Sequence, residues 1–141
     1  MTPPAGLRIA IVNQPFDVVL PPGQNSIGIW TYQVAPVLAR HHDVHVFTGP
    51  APGSRSLRGS VAEHDGVAYH STFAAPQRVW GRISALWERL LGPRRPIYAS
   101  VLYYLEFSLL VALRLRALRP DIVHIHNMTC FVPLVRLLNR R

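Results

Sequence analysis

Short apolar runs alternate along this chain with longer segments in which apolar residues recur every three or four positions. The short runs predict strands, and the longer segments predict helices. The predicted strands are residues 7–12, 44–47, 60–64, 67–71 and 122–126. The predicted helices are residues 26 to about 40, 77–91, about 96–118 and about 129–139. Because strands alternate with helices, the pattern predicts an α/β fold with a doubly wound, Rossmann-like parallel sheet.

Two local signals add detail to this fold. Asp65 and Gly66 separate two strand-like runs by two residues, which predicts a tight β-hairpin. In a doubly wound order, the strand at 122–126 should lie beside the first strand, with both ending at the same crevice. The helix that begins near Ser26 contains Pro36, and its apolar positions Trp30, Val34 and Val37 fall at helical spacing.

The stretch 119–127 is the most informative part of the chain. Pro120 cannot continue the preceding helix, and the apolar strand that follows stops at His126 and Asn127. Side chains at the carboxyl end of a parallel strand face the ligand crevice. The sequence therefore predicts an imidazole and an amide at the mouth of a cleft. His124 lies two residues earlier, on the same face, and is interpreted as a core histidine.

Composition narrows the classes of partner. The chain has 141 residues, enough for one domain, and a net charge of +8 in which all fifteen basic residues are arginine. This charge favours anionic partners. The chain lacks the motifs of nucleic-acid-binding modules, so nucleic acid is not expected. The two histidines on the last strand lack a third ligand at suitable spacing, so no metal site is expected.

Cellular location follows from two features. The single cysteine excludes a disulfide within the chain, and residues 1–17 contain no apolar segment of signal-peptide length. We therefore expect a cytoplasmic protein. The apolar run 97–113 is short for a spanning helix and carries Glu106 near its middle, so a buried helix is expected there.

The predicted helix Gln77–Leu91 has two interpretations. An apolar stripe runs along it, and basic and aromatic residues flank the stripe. The helix either packs on the domain with solvated arginines or lies in an anionic membrane interface, on the inner face of the cell membrane. The candidates for contact with the membrane are Arg78, Trp80, Arg82, Trp87 and Arg89.

Several segments together resemble a known family in order and spacing. They are the opening strand and residues 21–29, 38–40, 44–48, 65–67 and 119–127. On these segments, residues 7–138 resemble the N-terminal, acceptor-side domain of GT-B glycosyltransferases of family 4. The resemblance implies sugar transfer from a nucleotide-sugar to a glycan or lipid-linked acceptor, with retention of configuration, without a cofactor and usually without a metal.

The resemblance also assigns roles to individual residues. Ser26, Ile27 and Gly28 would approach the donor diphosphate and the reacting sugar, and His126 would lie beside the transferred sugar, next to Asn127. A glycine suits such a loop because a residue without a side chain lets backbone N–H groups close on a phosphate. Gly28 also fits an ordinary turn glycine.

The sequence departs from the family pattern in two ways. Its glycines Gly23 and Gly28 are isolated where many members have consecutive ones, and it ends at Arg141, before the remaining strands and the nucleotide-binding domain. We therefore expect an incomplete first half of a GT-B N-terminal domain, inactive without its missing C-terminal half or a complementary chain. The alternative is a non-catalytic α/β module that binds a protein partner through an open sheet edge at Ile122–Ile125.

Overall fold

The fold is known from a computed structural model that describes residues 6–49, 60–72, 77–91, 99–126 and 132–139. Five strands and four helices occur within these ranges. The strands are β1 (Arg8–Val12), β2 (Asp43–Thr48), β3 (Ser60–His64), β4 (Val67–Ser71) and β5 (Ile122–Ile125). The helices are α1 (Ser26–Ala39), α2 (Gln77–Leu91), α3 (Ala99–Leu118) and α4 (Val132–Leu138).

The five strands form one sheet in the order β3-β4-β2-β1-β5. β1 pairs in parallel with both β2 and β5, and β2 pairs in parallel with β4. Only the β3–β4 hairpin is antiparallel. Asp65 and Gly66 both have positive φ at its turn, at 50° and 75°, as a two-residue hairpin of the predicted kind requires. The predicted α/β class and the pairing of the first strand with the strand near residue 122 are both confirmed.

Helices cover both faces of the sheet, so the core has two layers. On one face, Ala10, Val12 and Phe47 pack against α3 and α4 through residues such as Phe107 and Leu115. On the other face, the alternate strand residues pack against α1. These residues are Ile9, Ile11, Val44, Val46, Val67 and Tyr69. The alternation of side chains along β1 and β2 therefore supplies both layers from the same two strands.

Helix α1 meets the sheet through small residues, which corrects the expected phase of its apolar face. Gly28, Thr31 and Ala35 are its buried residues, whereas Trp30 and Val37 are 43% and 55% exposed. Small side chains let the helix axis come close to the strands, so the large side chains are left on the outer side. The helix continues through Pro36.

The N-cap of α1 is Asn25, whose side chain accepts a hydrogen bond from the Gly28 N–H. One boundary differs from the predicted one. β5 ends at Ile125, although the His126 N–H still donates to the Val12 carbonyl at 2.9 Å. The predicted starts of α3 near residue 96 and of α4 near residue 129 lie outside the described residues. Among the helices that are described, none is long and apolar enough to cross a membrane.

Candidate functional site

The loop that follows β1 lies across the carboxyl ends of the central strands. The Thr48 hydroxyl donates to the Asp17 carbonyl at 2.8 Å, which fixes the loop to the end of β2. Gly49 permits a close approach at the same place, since a Cβ on it would lie 1.7 Å from the Pro15 carbonyl oxygen. The loop would therefore line any ligand site at the carboxyl end of the sheet.

Asp17 organises this loop from a buried position. It is 6% exposed, and one carboxylate oxygen accepts from the Gln14 N–H at 2.9 Å. The other oxygen accepts from the Asn25 side-chain amide at 2.6 Å. Asn25 in turn accepts from the Gly28 N–H at 2.9 Å, so the carboxylate orients the cap of α1. A hydrogen-bonded chain thus joins the end of β1 to the first turn of α1.

Gly28 is required by packing at this point. A Cβ on Gly28 would lie 1.9 Å from the Val18 carbonyl oxygen, so any larger residue would push the loop and the helix apart. Its N–H is already held by Asn25. Within the first turn, Ser26 and Ile27 precede the first intrahelical hydrogen bond, and the N–H groups at such positions point out of the helix start. An anion at this helix start would meet those two groups.

His126 lies beside this helix at the end of β5. Its ring is edge-on to Trp30, with ring centroids 4.8 Å apart, and edge-on to His124 at 4.5 Å. Its Nε2 atom is buried and has no hydrogen-bond partner within the described part of the chain. Burial lowers the pKa of His126 below the usual 6.5; His124 also lowers it, and Asp17 acts in the opposite direction. The imidazole is therefore neutral at neutral pH.

We refer to Asp17, Asn25, Trp30 and His126, together with the start of α1, as the β1–β5 site. The parallel pairing of β1 with β5 brings these residues from three separate parts of the chain to one end of the sheet. A neutral imidazole with an unpaired nitrogen can exchange a hydrogen bond with a hydroxyl group. A helix start favours negative charge. The site therefore combines groups suited to a sugar hydroxyl and to an anion.

Sequence reasoning reached part of this site. Asp17 and Trp30 were missed, and the available signals were weak: one acidic residue in an otherwise uncharged loop, and a tryptophan at a position that also fits a core stripe. His124 is exposed, which corrects its interpretation as a core histidine, because β5 is the edge of the described sheet. Asn127 lies outside the described residues.

A cavity of about 460 Å³ opens on the other side of the loop, near the ends of β2 and β4. Its lining is mainly apolar. The lining residues include Val18, Val19, Leu20, Pro21, Pro22, Ala62 and Tyr69. The Tyr69 hydroxyl is buried without a partner in the described ranges, and burial raises the pKa of Tyr69 to about 12. The phenol thus stays protonated at neutral pH.

The remaining candidates lie on α2, which packs against α3. Arg82, Trp87 and Arg89 are exposed there, and the side chain of Arg78 is not among those described. The Trp80 indole donates to a Glu106 carboxylate oxygen on α3 at 2.8 Å. Trp80 therefore contributes to the α2–α3 contact.

Metal binding has no visible basis in the described ranges. These ranges hold no group of three or more His, Cys, Asp or Glu side chains placed to bind a metal ion.

Comparison with known proteins gives one finding about the family. The model of Glycosyltransferase Family 4 matches residues 27–141, which is most of the chain. The protein therefore belongs to glycosyltransferase family 4. No curated protein and no solved structure gives a significant match.

Proposed function

We propose that this chain is the acceptor-side half of a retaining glycosyltransferase. It acts with a nucleotide-binding domain that faces the carboxyl end of its sheet, supplied by a C-terminal half or a complementary chain. In this proposal a sugar passes from a nucleotide-sugar to a glycan or lipid-linked acceptor. Family membership supports the class of reaction, and the β1–β5 site supports the place where it occurs.

The unpaired Nε2 atom of His126 is the observation that carries the proposal. A buried polar atom without a partner is costly unless a ligand completes it. A hydroxyl of the transferred sugar would supply the missing hydrogen bond. The neutral state of the imidazole suits this role, since a neutral ring can donate from one nitrogen to an uncharged sugar oxygen. Trp30 fixes the plane of the ring from the side.

The start of α1 would hold the donor diphosphate in the same proposal. The N–H groups of Ser26 and Ile27 supply donors, and the helix dipole adds favourable charge. Gly28 contributes by bringing the helix against Val18, so that its first turn reaches the sheet end. Asp17 lies close by, but its carboxylate is engaged by Gln14 and Asn25.

The apolar cavity beside the loop is the proposed place for the acceptor. Its lining suits an apolar portion of the acceptor, and the Tyr69 phenol offers a hydrogen-bond donor inside it. Polar residues at the strand ends, Thr48 and Ser71, border the same cavity. An acceptor here would lie across the loop from the β1–β5 site.

A complementation assay tests the proposal. The chain is joined to the nucleotide-binding domain of a family 4 glycosyltransferase and incubated with a panel of nucleotide-sugars and lipid or glycan acceptors. We expect acceptor-dependent release of nucleoside diphosphate, with product of retained configuration by NMR. The Tyr69→Phe variant should raise the KM for acceptor more than it lowers kcat.

The controls separate this function from that of a binding module. The chain alone should release no nucleoside diphosphate. Donor hydrolysis by the joined protein that is independent of acceptor, and unaffected by changes at His126 and Tyr69, would contradict the proposal. A stable dimer of the chain alone, paired through β5 and inactive in every combination, would instead support the non-catalytic alternative.

A further inference from the structure

The apolar row of α2 points away from the protein. Val79, Ile83, Leu86 and Leu90 are spaced four, three and four residues apart, which places them on one side of the helix. Their exposed fractions are 44%, 42%, 56% and 75%. An amphipathic helix that packs on its own domain buries such a row. Here the row is left on the surface.

An adjacent side of α2 makes the contact with the domain. Trp80 and Ser84 are half-buried, and the Trp80 indole donates to Glu106 on α3. Glu88 continues the same line of positions, four residues after Ser84, so the single acidic residue of α2 lies on the side away from the apolar row. Trp80 thus faces α3, whereas Glu88 and the apolar row are both exposed.

Basic residues border the outward-facing row. Arg82 and Arg89 are exposed and seven residues apart, so they lie on one line along the helix. Each is three or four residues from Leu86, which puts both guanidinium groups beside the row. Trp87 is also exposed, on the flank of the row nearer α3. The surface therefore combines an apolar strip, a tryptophan and two cations.

Helix α3 also has an exposed apolar row. Its residues at every fourth position are also exposed, by 44–49%, and they are Val101, Leu105, Leu109 and Leu113. Two helices that pack against each other thus both leave an apolar row outside. Exposed apolar surface of this extent marks a site of interaction with a protein or a membrane.

We propose that α2 lies in the interface of an anionic membrane. The row from Val79 to Leu90 enters the boundary between headgroups and acyl chains, and Arg82 and Arg89 contact lipid phosphates. Charge complementarity favours this occupant over a second copy of the chain. A two-fold contact through the same row would bring the arginines of one copy toward those of the other, and like charges oppose that contact. The inference is independent of the sugar-transfer proposal.

Vesicle flotation with the full 141-residue chain tests the inference. The probe is a set of vesicles with about 30% phosphatidylglycerol, compared with pure phosphatidylcholine vesicles. We expect binding to the anionic vesicles that weakens as salt is added. Arg82→Gln with Arg89→Gln should reduce partitioning about 25-fold, since each arginine near an anionic surface contributes about fivefold. Leu86→Gln with Leu90→Gln should reduce it about 100-fold, because two leucines no longer enter the apolar region.

A matched double variant controls for net charge. Arg40→Gln with Arg136→Gln removes the same charge from exposed positions on α1's end and α4, and it should leave most of the binding intact. Equal loss in both arginine pairs would overturn the role of α2, and so would equal binding to neutral vesicles. Absence of vesicle binding, together with a dimer that Leu86→Gln dissociates, would assign the surface to a second copy and overturn the inference.

Discussion

Two pairs of histidines on this sheet differ in their position and in their hydrogen bonding. His45 and His70 come from neighbouring strands β2 and β4, on the face covered by α3, and their rings share a hydrogen bond of 2.9 Å. His124 lies on β5 and His126 directly follows that strand, on the face of α1 and at the edge of the described sheet. The first pair is enclosed by the fold, whereas the second faces the end where the β1–β5 site lies.

The first pair is bonded internally and the second is not. His70 is stacked on Phe47 at 4.6 Å, and His45 Nε2 lies 3.0 Å from an Asp43 carboxylate oxygen, although not aligned for a hydrogen bond. His126 Nε2 is also buried without a hydrogen-bond partner in the described ranges, but its ring shares no hydrogen bond with His124 there, whereas the rings of His45 and His70 are bonded to each other. We therefore interpret His45 and His70 as a structural pair, and His124 and His126 as a pair that can contact a ligand. Removing the first should affect folding, and removing the second should affect transfer.

The largest expected effect is on folding, at the enclosed pair. Phe47 is 1% exposed and supports the ring of His70. Phe47→Ala should lower the free energy of unfolding by about 3–5 kcal/mol, because it deletes a buried aromatic ring and leaves a cavity. Urea unfolding followed by circular dichroism measures this change.

An exposed histidine on the other pair is the control for folding. His124→Ala should change the free energy of unfolding by less than about 0.5 kcal/mol, since the residue is exposed. If both variants lost similar stability, the distinction between the enclosed and the open pair would be wrong.

The next effect is on transfer, at the open pair. In the chain joined to a nucleotide-binding domain, His126→Ala should lower kcat/KM about 100-fold, because the transition state loses one preorganised hydrogen bond. Stability should change little, since the variant removes a buried nitrogen that had no partner. His41→Ala, at an exposed position after α1, is the matched control and should retain full activity. An active His126→Ala enzyme would show that the imidazole does not contact the sugar.

The same contrast shows what sequence reasoning could reach. His124 and His126 were recognisable because they stand two apart on one predicted strand, where period-two geometry puts them on one face. His45 and His70 are 25 residues apart in sequence, and only the register of β2 against β4 brings them together. The strands, the hairpin and the sheet order near β1 followed from local patterns. Pairing between distant side chains did not.

The missed site residues have a related physical reason. Asp17 acts through Asn25, eight residues later, and this link depends on how the loop lies across the sheet end. Hydrophobic periodicity carries no information about the path of this loop or about the hydrogen bonds that depend on it. The exposed row of α2 is a further case: the spacing of Val79, Ile83 and Leu86 predicted an amphipathic helix, but the direction of its apolar side depends on which residues meet α3. In α2, Trp80 and Ser84 are the half-buried residues on the side near α3, and the apolar row is therefore left exposed.

The smallest expected effect is the response of the two pairs to acid. Burial, together with the charges of His45 and Arg114, lowers the pKa of His70 from 6.5 to about 4. Since the unfolded chain binds a proton near pH 6.5 and the folded chain does not until about pH 4, stability is fully present above pH 6.5 and is lost as the pH falls toward 4. His70 is half-buried, so solvent screening limits the loss to about 1–2 kcal/mol.

Urea midpoints measured at pH 7, 5.5 and 4.5 compare the two pairs directly. His70→Gln should flatten the decline between pH 6.5 and 4, because the group that resists protonation is gone. His126→Gln should flatten it less, since burial lowers the pKa of His126 by a smaller amount. Asp43 does not interfere, because its hydrogen bond to Arg8 holds its pKa below 3.8, under the window of the measurement. A decline that His70→Gln leaves unchanged would place the acid-sensitive group elsewhere and would remove the distinction between the pairs.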